Sequence, residues 1–415
     1  MGRPHPRWWI PAWKATSMTR PVRVLSLYEG FFAGGARILH SDVVTGLVAD
    51  GTQEHRVLSL TSAARRDASL QFAHDDTRFR RLKDRGVRID TFERIAGDRP
   101  LAPEDFTRSE LEHAARLFDE ADVILSLKEQ PLSLVVALER AGLLPDRAIA
   151  ACLHRSDPGH SGPALGWLVE AAATGAVTAT ISCAESTSRA YARAGVSAGE
   201  AWVIDNGIDT RRFRPGTRAE RRRIRAGLGI PDSAPVVLLA ARFDAMKDPG
   251  LFLRAVSAHA RSAPGTHYVV CGSGMTRTNP AFVSLLADSG VDEGVALHAL
   301  GLREDMPELY RIADVIALTS AFGEASPLCL VEGAASGAVP VTTDVGDAAR
   351  LVEGFGLVTA REVGAIVEAW GDALALGPAL RAAALSARTR MDRGRMIADY
   401  RAAVEGLLVS RALAA

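Results

Sequence analysis

Two series of short apolar runs, each the length of a strand and each followed by helix-compatible sequence, constrain this chain more than any other feature. The first series is "VRVLSLY" (22–28), "HRVLSLTS" (55–62), "ADVILSLK" (121–128), "AIAACLH" (148–154) and "VTATISCAE" (177–185). Runs that are apolar on both faces and alternate with helices indicate a parallel sheet covered by helices. At "VIDNGIDTRRFRPG" (203–216) the rhythm breaks, with turn signals at Asn206-Gly207 and Pro215-Gly216. It then restarts with "APVVLLAAR" (234–242), "THYVVCGSG" (266–274), "VALHALG" (295–301), "DVIALTS" (314–320) and "AVPVTTD" (338–344). The expectation is α/β: two doubly wound domains of similar size facing across a cleft, with ligands at the carboxyl ends of the strands. A chain of 415 residues is also longer than one core usually serves.

Composition narrows the partners. Lys plus Arg and Asp plus Glu are both 49, so the formal charge is zero and nothing points to a nucleic-acid partner. The basic stretch Arg218 to Arg225 reads as a solvated helix face. The four cysteines, Cys152, Cys183, Cys271 and Cys329, have no C-x-x-C spacing and sit among apolar residues, as buried free thiols do. No uninterrupted apolar run reaches 18 residues, and the first 17 residues, rich in Pro and Trp, lack the continuous apolar core of a signal peptide. These readings point to a cytoplasmic protein with a flexible arm at 1–17, or with Met18 as its start.

The residues just after the strands carry the candidate chemistry. In "FGEASPLCLVEGAASGAVPV" (322–341), seven mostly apolar residues separate Glu324 from Glu332. Ser326 is expected to cap a helix, Pro327 to occupy its first position, and Gly337 to end it. Glu324 then lies in the loop before the helix and Glu332 about one and a half turns into it. A diphosphate at the helix N-terminus would leave each carboxylate to accept hydrogen bonds from sugar hydroxyls on either side. "RFDAMK" adds Arg242 and Lys247, two cations suited to a diphosphate. "CGSGM" adds Gly272 and Gly274, where backbone can closely approach a base or phosphate. No D-x-D triplet offers a metal bridge. In the first half, "SLKEQP" (126–131) follows a strand and by position lines the acceptor side.

Taken in order, "VIDNGIDTRRFRP", "ARFDAMKDP", "VVCGSGM", "LYRIADVIALTS" and "GEASPLCLVEGAASGAVPVTTDVGD" resemble the retaining glycosyltransferases of the GT-B fold, family four. The resemblance implies two Rossmann-like domains, 18–205 and 206–394, with a final helix at 395–415 crossing back onto the first. It implies a catalytic group of Arg242, Lys247, Glu324 and His154, the last ending "AIAACLH". Glu324 would contact donor-sugar hydroxyls, and Arg242 and Lys247 would stabilise the leaving diphosphate. Glu332 would hold the ribose, alongside nucleotide or donor contacts from Gly34, Gly35, Gly272, Gly274, Leu302, Ala325, Ser326 and Leu328. The implied ligand is a UDP- or GDP-sugar, with no cofactor and no metal, and the acceptor is a hydroxyl of a natural product, glycan or lipid. Peripheral membrane docking occurs in relatives, and "RFRRLKDRGVR" (78–88) is the one candidate here, read first as a solvated helix face.

The chain departs from the family at Arg37, usually acidic, at Ala241, usually Gly, and at Ala325, Ser326 and Pro327, usually Gly-Phe-Gly. These changes bear on which sugar is taken more than on the reaction. The alternatives are a nucleotide-sugar epimerase or hydrolase on the same fold, and a non-catalytic nucleotide-sugar-binding partner. A nicotinamide oxidoreductase is disfavoured because no G-x-G-x-x-G follows the first strand.

Overall fold

The computed structural model describes residues 20–32, 35–66 and 69–414. The arm at 1–17 and Gly34 lie outside them. The strands, in chain order, are β1 (Val22–Tyr28), β2 (Gln53–Ser59), β3 (Ala63–Arg66), β4 (Ser69–Phe72), β5 (Arg88–Thr91), β6 (Ile95–Ala96), β7 (Val123–Leu127) and β8 (Ala148–Leu153). They continue with β9 (Ala179–Ser182), β10 (Glu200–Val203), β11 (Val236–Ala240), β12 (His267–Cys271), β13 (Leu297–Ala299), β14 (Val315–Leu318), β15 (Val339–Thr343) and β16 (Leu357–Thr359).

Two parallel sheets organise the molecule. The first has the order β10-β9-β8-β7-β1-β2-β5 and the second β13-β12-β11-β14-β15-β16, with a small sheet β4-β3-β6 beside the first. Counted within its own half, the second sheet runs 3-2-1-4-5-6, the doubly wound order, and the first follows it with one more strand. Strand order therefore reverses between β1 and β7 in one sheet and between β11 and β14 in the other. Crevices for ligands open at such reversals, outside the carboxyl ends of the strands. The architecture is GT-B: two Rossmann-like domains facing each other.

The central strands form because they are apolar on both faces. Along β11, Val236 and Leu238 join one buried cluster with Leu309, Ile312, Leu330 and Ala334. Val237 and Leu239 point the other way, into a cluster with Phe252, Val256, Tyr268 and Trp370. Each such side chain contributes about 2 kcal/mol when fully buried. The strands absent from the sequence reading, β3 to β6, β10 and β16, are short, and most are mixed in polarity. In β5, "RIDT", no residue is fully buried, so hydrophobic periodicity had nothing to report there.

The chain crosses between the halves twice. Around Ile208, which bridges to Asp392, it enters the second half. The helix Arg393–Ala414 then returns to the first, burying Met396, Tyr400, Ala403, Val404 and Leu407 against Leu39, Val43 and Leu47 of the helix Gly35–Leu47. The spacing of those residues keeps them on one helical face. Arg393 also pairs with Asp42 at 3.4 Å.

One sequence expectation needs correcting here. The stretch Arg218 to Arg225 is not simply a solvated face, because Arg225 is buried. Its guanidinium pairs with Asp314 at 3.0 Å and donates to the carbonyls of Asp232, Ala234 and Ile312. Arg221 and Arg381 reach the same carboxylate. In the other basic stretch, Arg78, Arg80 and Arg81 pair with Asp76, Asp75 and Asp42. No single helix among the described residues is long and apolar enough to cross a membrane.

Candidate functional site

The carboxyl ends of β11 and β14 flank the reversal point of the second sheet, and each carries sequence-predicted residues. After β14, Ser320 and Glu324 are buried. After β11, a short turn at Ala245–Lys247 brings Lys247 across so that its Nζ donates to Glu324 Oε1 at 2.5 Å. Ser320 Oγ donates to the same oxygen at 2.5 Å. Thr319 Oγ1 accompanies them, donating to the carbonyls of Lys247 and Asp248 at 3.2 Å. A buried carboxylate is costly unless paired and hydrogen-bonded, and Glu324 is both.

Arg242 stands apart from this pair. Its side chain is 64% exposed and its nearest acidic group is Asp244 at 3.4 Å. The two cations therefore occupy different environments. Lys247 is inward and already neutralised, whereas Arg242 reaches into solvent at the mouth of the site.

The glycines after β12 explain how the Arg242 loop is held. At Gly272 φ is +138°, and a Cβ there would lie 2.0 Å from the Ala241 carbonyl oxygen. Only glycine lets these two loops touch. Phe243 N then donates to Ser273 O at 2.8 Å, while Gly274 lies against the Phe243 side chain. Gly272 N donates to Gly301 O, and Leu302, next along the chain, is largely exposed beside this turn.

The helix that follows Glu324 starts one residue later than expected. It spans Leu328–Ala335 with Pro327 as its N-cap, and no side chain caps it. Ser326 is not the cap; its Oγ is buried without a hydrogen-bond partner. Pro327 has no N–H to give, and its extended ψ of 103° belongs to a residue outside the helix. The helix ends at Ser336, with Gly337 at φ +96°. Leu328 packs against apolar clusters of both domains, and Ala325 against Cys183 and Ala184 of the first.

Glu332 lies on this helix near Tyr310 and Arg212. Burial pushes its carboxyl up to about 7, while the Tyr310 hydroxyl and the Arg212 charge act in the opposite direction. A carboxylate so placed gains from any ligand that brings it hydrogen-bond donors.

The first domain repeats the geometry at its own reversal point. After β1, Arg37 folds back to donate to Glu29 at 2.7 Å and to the Phe32 carbonyl at 3.1 Å, so the basic residue pins the loop that precedes the helix. Gly35 opens that helix and is exposed. After β7, Lys128 adopts φ +69°, and Glu129 is fully buried with both carboxylate oxygens unpartnered. Burial raises the Glu129 pKa. After β8, His154 keeps a buried, unpartnered Nε2. Burial, with contributions from His40 and Lys128, lowers its pKa to about 3, so the imidazole is neutral near pH 7.

Sequence reasoning passed over Ser320, Tyr310, Gly346 and Asp347. A Cβ at Gly346, where φ is +63°, would lie 1.7 Å from the Glu324 carbonyl oxygen. Asp347 is buried and accepts hydrogen bonds from the backbone of Glu185 and Ser186 in the first domain. The "DVGD" run was visible, but nothing in its spacing says that the aspartate crosses the cleft.

Comparison with known proteins bears on the family resemblance and the fold. Residues 234–375 match the family described as glycosyl transferases group 1. The chain is 33% identical over 166 residues to the D-inositol 3-phosphate glycosyltransferase of Corynebacterium kroppenstedtii, a stretch covering 37% of each protein. It is 33% identical over 197 residues to the enzyme of that name from Saccharomonospora viridis, covering 43% of each. The matched stretch thus spans less than half the length of these relatives. Among solved structures, Anabaena Alr3699/HepE in complex with UDP superposes with a TM-score of 0.74 at 19% identity, over 93% of this chain and 100% of that one. A glycosyltransferase from Rickettsia africae gives 0.66 at 13% identity, over 94% and 99%. Residues 234–375 are thus similar to the group 1 glycosyltransferases, and the two-sheet architecture is GT-B.

Proposed function

We propose that this protein transfers a sugar from a nucleoside diphosphate sugar, with UDP the first nucleotide to test, to an acceptor hydroxyl with retention at the anomeric carbon. The observation that carries the reading is the Lys247–Glu324–Ser320 cluster at the reversal point of the second sheet. It sets a cation and a sugar-binding carboxylate side by side, within the segment that matches the group 1 family. In this reading Glu324 accepts hydrogen bonds from donor-sugar hydroxyls and Glu332 from the ribose. Arg242, exposed at the mouth of the site, joins Lys247 on the diphosphate, and the two stabilise the charge that develops as the glycosidic bond breaks. In the same reading neutral His154, just after β8, supplies a hydrogen-bonding group for sugar or acceptor, and Glu129 and Lys128 serve the acceptor. The diphosphate charge is met by side chains of this chain, without a metal. The Anabaena structures containing UDP and UDP-glucose support a uridine nucleotide as the starting choice.

The test is a thermal-shift titration of wild type and Lys247→Ala with UDP, GDP, ADP and TDP, each shift taken from that protein's own unliganded melting temperature. A nucleotide at 100 times its Kd stabilises the native state by about 2.7 kcal/mol. The reading expects one nucleotide to stabilise wild type and to lose that effect in the variant. If none of the four stabilises wild type, the reading fails.

A further inference from the structure

We infer that Asp347 is a positioning residue that fastens the Glu324 loop of the second domain to the first, so that the spacing of the domains and the placement of Glu324 are set together. The carboxylate spans the cleft. Its Oδ2 accepts from Glu185 N at 2.9 Å and its Oδ1 from Ser186 N at 2.8 Å. These two amides open the helix Glu185–Arg193, where no intrahelical acceptor exists and where Ala184, at the capping position, contributes no side-chain bond. Asp347 thus caps a helix of the other domain.

The carboxylate is held from behind. Arg350 Nε donates to Asp347 Oδ2 at 2.8 Å, and the same guanidinium spans to Asp205 in the segment linking the domains. Burial alone would disfavour the charged form of Asp347, but the Ser186 and Arg350 bonds outweigh it and its pKa is lowered. The other end of the linkage reaches the candidate site. Asp347 N donates to the Ala325 carbonyl at 3.3 Å, Gly346 lies flat on the Glu324 carbonyl, and the Ala325 side chain packs on Cys183 and Ala184, just before the capped helix. Backbone, side chain and helix end form one continuous path from Glu324 to the first domain.

The functional consequence rests on the reading of Glu324 as a sugar-binding residue; the linkage itself is geometric. Hydrogen–deuterium exchange of two segments tests it, 184–188 at the helix start and 321–326 in the Glu324 loop, in wild type, Asp347→Ala and Asp347→Asn. Loss of charge-assisted bonds to both amides is expected to speed exchange in 184–188 by about tenfold or more in Asp347→Ala. The loop 321–326 is expected to speed up with it, and Asp347→Asn, which keeps one acceptor oxygen, to fall between. A helix cap with no further role would move only the first segment, so an unchanged 321–326 overturns the inference. Should Asp347→Ala fail to fold, Arg350→Gln, which leaves the amide bonds but frees the carboxylate behind, is read in the same two segments with the same criterion. A UDP arm separates the two ideas. If UDP leaves wild-type exchange unchanged, the nucleotide reading fails, while the unliganded comparison still decides on Asp347. If UDP protects 321–326 in wild type, that protection is expected to weaken in Asp347→Ala, and equal protection in both overturns the positioning role.

Discussion

Glu332→Gln is the substitution whose effect can be worked furthest from the structure. The folded chain holds the Glu332 proton up to about pH 7 because burial disfavours the charged carboxylate. The unfolded chain releases it near 4.5. Between these values the folded state binds more protons, so this residue's contribution to stability is fullest below pH 4.5 and is lost as pH rises to 7. At 1.36 kcal/mol per decade the span is worth about 3 kcal/mol, and the partial exposure of the side chain reduces this to about 1–2 kcal/mol. Glutamine is neutral at every pH and keeps the shape. Urea denaturation of wild type and variant at pH 4.5, 6 and 8 isolates the effect, since every other titrating group cancels in the difference. Relative to wild type, the variant should gain about 1–2 kcal/mol between pH 4.5 and 8. A difference that stays constant with pH would refute the reasoning. The same protein reports on ligand binding with the opposite sense. If the charged carboxylate holds the ribose, wild-type nucleotide affinity rises from pH 6 to 8, whereas the variant binds weakly and without that slope.

Three further substitutions separate fold from site. Asp314→Ala leaves Arg225 buried without its counter-ion and should cost about 3 kcal/mol in urea denaturation. Gly346→Ala places a methyl group where the Glu324 carbonyl now lies, at a left-handed φ, so the variant should lose the nucleotide-induced thermal shift even where it remains folded. Arg242→Ala removes an exposed side chain, and its unliganded stability should stay within about 0.5 kcal/mol of wild type. Nucleotide titration of the same variant should nevertheless show weaker binding, as expected of a side chain that engages only the ligand.

The architecture was legible because β7, β8, β11 and β14 are buried on both faces and therefore read as unbroken apolar runs. The same rule hid β5 and β10, whose residues are half in water. Within the candidate site, spacing placed Glu324 before a helix and Glu332 inside it, but it mistook the role of Ser326. Capping depends on where the side chain turns, and Pro327 delays the helix by one residue. Spacing also grouped Arg242 with Lys247 as equals. The structure separates them, because the turn at Ala245–Lys247 carries Lys247 inward to Glu324 while Arg242 stays outside. Ser320 and Asp347 were invisible for a different reason. Each acts through contacts between segments distant in sequence, and no local pattern of residue types encodes those.

The most direct measurement is a crystal structure of the wild-type protein soaked with UDP. The account predicts the diphosphate between Arg242 and Lys247, close to Glu324, with the ribose hydroxyls on Glu332. UDP bound elsewhere, or bound with its ribose away from Glu332 and its phosphates away from Lys247, would contradict it.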